Sequence, residues 1–465
     1  MQFDLIVIGS GPGGYRAAVL AAQRGLQVAI VEKAEWGGCD LNRGSIPKNT
    51  WHHSAKLIAA NACLAKRGVQ GTLNGDFTQA WEHQKKVVKN VRDSYIASMK
   101  QLGIAGFAAQ AAFVDANTII LDGRDNLSAQ HFIVATGASA FVPKPFSLTD
   151  RKILTSDELF TQAPPEGKRV AIVGSGAVAT EFAFILSMLG KEVIWISQNA
   201  PLASTRFSPA AQNLLLEKFK LFGIEPKLGN RPEAVEIMPE GVKLIWQGDA
   251  EQTVVDWVLL GTGRRPHTTG LNLDAAGVNT DSKGFIKVNE FLQTTQPHIY
   301  SVGDVANQRM CANQALADAQ IAVANILQAE TRKQDRTAVP DVVYSALELG
   351  RVGLNGSAES KDPIIIGLST FENNPRALGQ DVTDGFVRLV ADAQSGVLLS
   401  GEAVGPDATE LVHIIAQHYG QPNALQHLAQ AYYSHPARAE EIFTAAAEIA
   451  AKLKQPESQQ VLNNG

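Results

Sequence analysis

Cysteine is scarce in this chain. Its 465 residues include three, Cys39, Cys63 and Cys311, at irregular spacing. Thiols so placed build no disulfide framework and match no metal-ligand spacing, so no metal site is expected and the cytoplasm is the expected compartment. Charge of one sign is not in large excess either. The 41 basic and 46 acidic residues leave a net charge of −5, which argues against a nucleic-acid partner. No apolar run is long enough for a membrane span, and no basic segment precedes the first apolar run, so neither a span nor a signal peptide is expected. Hydrophobic residues are plentiful at 45%, ample for real cores. The length suits about two to four domains. The Gln/Asn-rich end, 455–465, is expected to be a frayed tail.

The richest pattern lies at the start. Asp4-Leu5-Ile6-Val7-Ile8 is a short apolar run, read as a buried parallel strand. Gly9-Ser10-Gly11-Pro12-Gly13-Gly14 follows, then an Ala-rich helix over about 15–24 and a second strand over 27–31 that ends in Glu32. A lone G-x-G-x-x-G is weak. Strand, glycines, helix, strand and terminal acid in this order form a dinucleotide-binding unit. The glycines permit a tight turn and close approach of a pyrophosphate to a helix N-terminus, and a carboxylate at Glu32 can bond ribose hydroxyls. A second unit starts at Arg169–Val173, runs through Gly174-Ser175-Gly176-Ala177-Val178-Ala179 and a helix to about Leu189, and returns on Glu192–Ile196. It ends in Ser197 instead of an acid. Two such units imply two dinucleotides.

Between them, helical regions are expected around Trp51-His52-His53 and over 77–102, and Phe132–Val134 is a buried strand closing on Gly137. Later, Ile299–Ser301 is a strand, 312–327 a helix and 330–338 a polar linker. From Pro340 the pattern becomes strands (342–344, 351–354, 386–391, 397–404) followed by helices (408–418, 424–429, 436–454). Strands followed by helices predict a separate α+β domain.

In this order, GSGPGG, GGCDLNRGSIP, VATG, GSGAVATEFA, GTGRRP, IYSVGD and the final HPARAE resemble the FAD-dependent pyridine nucleotide–disulfide oxidoreductases, across nearly the full length. The resemblance implies an α/β fold with two Rossmann-like dinucleotide-binding domains and an α+β C-terminal dimerisation domain. FAD would take 1–145 with 275–338, NAD(P) would take 146–274, and 339–465 would pair two subunits. Gly9, Gly11, Gly14 and Glu32 would hold the adenosine half of FAD, with Gly38, Thr136, Gly137 and Ala312 along the cofactor and Asp304 on its ribityl chain. Gly174, Gly176, Glu181, Ser197 and Gly263 would lie along the nicotinamide nucleotide. In the homodimer His435 would reach the other subunit's site, oriented by Glu440. A carboxylate partner fixes a histidine's tautomer and raises its basicity.

The departures from the family pattern fall in Trp36–Asn49. The family's Cys-x4-Cys pair is replaced by Asp40 and Ser45, and Cys39 stands one residue out of register. A carboxylate and a hydroxyl cannot cycle between thiolate and disulfide. The family lysine that pairs with the glutamate at Glu181 falls at Asn49, with Lys48 displaced by one, so that pair is expected to be altered. Cys39, Cys63 and Cys311 are most simply packing residues. The reading is an NAD(P)H oxidoreductase that passes electrons from FAD to a small-molecule acceptor other than a disulfide: a quinone, a dye-like oxidant or a second nicotinamide nucleotide. Asp40, Ser45, His435 and Glu440 are its candidate catalytic residues. Two alternatives stand beside it. One is specialised chemistry in a remodelled pocket; the other is a nucleotide-binding scaffold or sensor within a larger complex. With Ser197 at the ribose position and no arginine nearer downstream than Arg206, coenzyme preference is expected to be weak or to lean to NADPH.

Overall fold

The computed structural model describes residues 1–148, 150–229, 231–246, 252–354 and 363–453. The end expected as a frayed tail lies outside them. The first strand, β1 (Gln2–Ile8), pairs in parallel with β2 (Val28–Glu32) and with the strand Asp125–Val134. Alternate residues of β1 enter separate cores: Leu5 and Val7 pack with the helix side, Ile6 and Ile8 with the opposite face. Burial on both faces is why this strand reads as an unbroken apolar run. The helix α1 (Pro12–Ala22) lies between β1 and β2, and Ile299–Ser301 adds to the same sheet beside Asp125–Val134.

A second parallel sheet has the order Pro226–Leu228, Glu192–Ser197, Arg169–Val173, Trp257–Leu260, Ile153–Thr155. A three-stranded antiparallel sheet, Pro232–Met238, Gly241–Trp246 and Gln252–Val255, packs beside it. The last sheet is antiparallel, in the order Asp341–Tyr344, Glu348–Gly353, Leu398–Val404, Phe386–Asp392, Ile364–Thr370. Helices Ala408–His418 and Glu440–Leu453 cover one face, so closely that a Cβ on Gly367 would fall 2.2 Å from the Ala445 carbonyl oxygen.

Several elements differ from the sequence reading. The strand expected at 132–134 starts at Asp125, and its first half pairs antiparallel with Thr118–Leu121. That half is polar and alternately exposed, so no apolar run marks it. The strands Ala111–Asp115, Thr118–Leu121, Gly241–Trp246 and Ile364–Thr370 are further additions: several carry apolar residues, but short apolar runs do not by themselves separate strand from helix or name a partner. The helix expected from Pro436 begins at Glu440, because the Glu440 carboxylate takes the Ala437 N–H at 2.6 Å and closes a turn ahead of it. Among the described residues no helix is long and apolar enough to cross a membrane.

Candidate active site

The first glycine loop forms one wall of a cavity of about 710 Å³. Gly9 has φ +102°, and a Cβ there would meet the Ala135 carbonyl oxygen at 2.4 Å. A Cβ on Gly14 would lie 1.9 Å from the Gly9 carbonyl oxygen. These two glycines close the strand onto the helix. Gly11, the N-cap of α1, has open space around its missing side chain, so the free N–H groups of the first helical turn face room for a phosphate. Glu32 is 8% exposed and lines the same cavity. One of its oxygens accepts from the Ser10 N–H at 2.9 Å and the Ser10 hydroxyl at 2.8 Å, the other from the Ala34 N–H at 3.0 Å. These residues fit a dinucleotide.

The segment that departs from the family pattern docks on this loop. Ser10 Oγ also accepts the Gly37 N–H at 3.0 Å, and a Cβ on Gly38 would come within 2.7 Å of the Gly11 Cα. From there the chain forms α2 (Gly38–Arg43) and α3 (Ser45–Ala59), neither delimited by the sequence reading. Asn42 secures α2 by donating to the Trp36 and Gly38 carbonyls at 3.0 and 2.8 Å, and its own oxygen accepts from Arg92. Asp40 and Ser45 thereby face the cavity together. Among the described residues no hydrogen bond or ion pair engages the Asp40 carboxylate.

Cys39 is not simply a packing residue. Its thiol borders the cavity, accepts from Arg264 Nη2 at 3.2 Å and points at Asp157 Oδ1 at 3.8 Å. Burial pushes the thiol up to about 11, against the pull of the Arg264 guanidinium. The three cysteines are all free.

The displaced lysine corrects the expectation drawn from Asn49. Lys48 Nζ sits 2.7 Å from Glu181 Oε2, with side chains 12% and 5% exposed. Lys48 and Glu181 both line the cavity. The helical geometry of α3 turns Lys48 towards Glu181, so the shift by one residue does not abolish the pair. Sequence register alone could not give this, because it does not fix where a helix starts.

Asp304 borders the cavity from the turn Gly303–Val305. Burial pushes its carboxyl up to about 6, Arg264 works against this, and Asp40 and Asp318 add to it. Gly38, Thr136, Gly137 and Ala312 also reach the cavity wall.

In the second unit, Gly176 caps the helix Ala177–Met188 with open space at its missing side chain and borders the cavity. A Cβ on Gly174 would meet the Gly261 carbonyl oxygen at 2.3 Å, so Gly174 lets its turn close against the end of the neighbouring strand Trp257–Leu260. Gly263 has φ +102° in the turn before Arg264–Pro266. Ser197 is 1% exposed and its hydroxyl donates to the Asn199 carbonyl at 2.5 Å. Arg206 is committed to Asp341 at 2.6 Å.

Comparison with known proteins places the whole assembly. The family model for pyridine nucleotide-disulphide oxidoreductases matches residues 3–324, and that for the dimerisation domain of the same family matches 339–446. The chain belongs to the pyridine nucleotide-disulphide oxidoreductase family. It is 31% identical to a dihydrolipoyl dehydrogenase from Chlamydia muridarum, over 94% of this chain and 95% of that one. It is equally 31% identical to one from Thermus scotoductus, with 96% of each covered. Its fold is similar to that of LpdA from Mycobacterium tuberculosis, with a TM-score of 0.88 at 23% identity over 96% and 99% of the two chains. The HOCl-induced flavoprotein disulfide reductase RclA from Escherichia coli is similar with a TM-score of 0.81 at 25% identity, over 94% and 98%. Members of this oxidoreductase family use FAD and NAD(P)H.

The family's dimerisation domain carries the remaining candidates. His435 Nδ1 is 3.2 Å from Glu440 Oε2, with side chains 67% and 15% exposed. Neither residue lines the cavity of its own chain. Tyr432 beside them is fully exposed, and Ile366 and Leu368 project from the edge strand into solvent. The match to the family's dimerisation domain supports a homodimer.

Proposed function

We propose that this chain is an FAD-dependent NAD(P)H oxidoreductase whose acceptor is not a disulfide. FAD, when bound, supplies the two-electron centre between nicotinamide nucleotide and acceptor. The observation that carries the reading is the pairing of Asp40 with Ser45 at the cavity wall, where the family has thiols. Neither side chain can store two electrons. The adjacent Cys39 has no second sulfur, and burial holds it protonated, whereas only a thiolate attacks a disulfide.

The residues around it have definite tasks. Gly11 and Gly176 leave two helix N-termini open to phosphates, Glu32 takes ribose hydroxyls, and Asp304 takes a hydroxyl of the FAD chain. Lys48, held by Glu181, places an ammonium at the site. Asp40 and the partner subunit's imidazole at position 435 border the acceptor site, where the imidazole, oriented by Glu440, supplies or removes a proton. Quinone-like acceptors or a second nicotinamide nucleotide can take electrons without thiol exchange. The buried Ser197 and the committed Arg206 leave neither of them to discriminate the 2′-phosphate, which supports a weak coenzyme preference.

Anaerobic titration tests the reading. Two electrons per FAD should bleach the oxidised absorption in one step, with no long-wavelength band, and quinones should turn over where dihydrolipoamide and glutathione disulfide do not. A four-electron capacity that disappears in Cys39→Ser would overturn it in favour of thiol chemistry.

A further inference from the structure

The Lys48–Glu181 pair has a third member that the sequence does not announce. Tyr344 ends the first strand of the C-terminal sheet, Asp341–Tyr344, and reaches the cavity wall. Three of its parts do separate things. Its backbone N–H donates to Glu181 Oε1 at 2.8 Å. Its ring lies beneath the ammonium of Lys48, with Nζ 5.0 Å from the ring centroid. Its hydroxyl lies towards Thr409. Thr409 in turn donates to Glu348 Oε2 at 2.9 Å, and the other Glu348 oxygen holds Lys56 at 2.5 Å.

Lys48 is therefore fixed from two sides, by the Glu181 carboxylate and by the face of an aromatic ring. A lysine has a long, flexible stem, and a carboxylate alone leaves its ammonium free to swing around the oxygen. A ring face removes that freedom, and a cation over such a face gains most where water is excluded. The Lys48 side chain is 12% exposed, so this condition holds. Since Tyr344 belongs to the C-terminal domain, that domain sets where the charge stands in the nucleotide cavity.

We propose that Tyr344 is a positioning residue: its ring holds the Lys48 ammonium at the redox site, and so tunes the reduction of FAD bound there. The inference rests on the functional reading above. A fixed cation beside the redox ring favours the electron-rich reduced form, and a wandering one favours it less. The backbone N–H that serves Glu181 survives substitution of the side chain, so the ring can be tested by itself.

The test is the two-electron midpoint potential of the FAD-loaded dimer, set with dithionite and mediator dyes. Tyr344→Leu should weaken the equilibrium towards reduced FAD about tenfold, which for two electrons is a fall of about 30 mV. Tyr344→Phe, which keeps the ring, should retain the parent potential. Lys48→Met, which removes the cation altogether, should lower it at least as far, and Tyr344→Leu added on that background should lower it no further, as for two parts of one device. If Tyr344→Leu does not fold, Tyr344→Met fills the volume without a π face and decides in its place. A parent-like potential in the ring-less variant, or a full additional fall in the Lys48→Met background, would overturn the proposal. No nicotinamide enters this titration. Failure of NAD(P)H to reduce the parent enzyme would therefore sink the functional reading separately, while an unchanged potential would sink only the role of Tyr344.

Discussion

At the residue scale, charges placed in a half-dry cavity make the sharpest claims. Lys48→Ala strands Glu181, which is 5% exposed, and should cost about 3 kcal/mol in urea unfolding. Adding Glu181→Gln should recover much of that, because the loss is the unpaired charge and not the missing bond. Asp304 gives a pH signature in the apoprotein. Its folded-state carboxyl titrates near 6, above the usual aspartate value, so the folded chain holds a proton that the unfolded chain has already released. The native state therefore binds more protons between about pH 4 and pH 6, and stability must fall as pH rises through that window. Asp304→Asn should abolish this fall and, at pH 7, be more stable than the parent by roughly 2 kcal/mol. Denaturant midpoints for both proteins at pH 4.5 and pH 7 check the sign. Cys39, with its thiol pushed up to about 11, should resist iodoacetamide at pH 7 to 8 and react only in strong alkali.

At the scale of single elements, two glycines in one loop should fail differently. Gly14→Ala places a methyl group 1.9 Å from the Gly9 carbonyl oxygen, forcing α1 away from β1, and should destabilise the apoprotein by about 3 kcal/mol. Gly11→Ala meets nothing in the protein within 4 Å. It should leave the apoprotein's thermal unfolding nearly unchanged and weaken FAD binding by an order of magnitude or more, since the methyl enters the space for the phosphate. Equal loss of stability in the two variants would show that Gly11 also packs the fold. The α2–α3 segment repeats this logic: the helical region expected around Trp51 is α3, whereas α2 is fixed by hydrogen bonds of Asn42 and Arg92 that no sequence pattern displays.

For the whole molecule, the proposed function requires a dimer in which His435 of one subunit serves the site of the other. His435 is exposed and does not line its own chain's cavity, while Ile366 and Leu368 are exposed apolar residues within the matched dimerisation domain. Leu368→Asp should shift the protein towards monomer in light scattering, because a charge desolvated at an apolar contact has no partner. His435→Ala should keep the dimer and its reduction by NAD(P)H, yet slow turnover with an acceptor that takes protons by a factor of 10² or more. Unimpaired turnover would leave the His435–Glu440 contact as a structural one.

The sequence by itself determined the family, both nucleotide units and the vacancy of the thiol positions. These rest on short-range patterns: an apolar strand buried on both faces, glycines where no Cβ fits, and the identity of two residues at a fixed spacing. The long helix read at 77–102 and the helix at 312–327 were legible because each carries its own periodic apolar face. The short antiparallel strands were not, since their partners, and not their residues, make them strands. Tertiary structure alone decided that Lys48 meets Glu181 across 133 positions of chain, that Cys39 lies between Arg264 and Asp157, and that Tyr344 joins the C-terminal domain to the cavity. Each contact joins residues far apart in sequence, where geometry depends on how whole elements pack. No local pattern encodes the distance between an ammonium on one helix and a carboxylate on another.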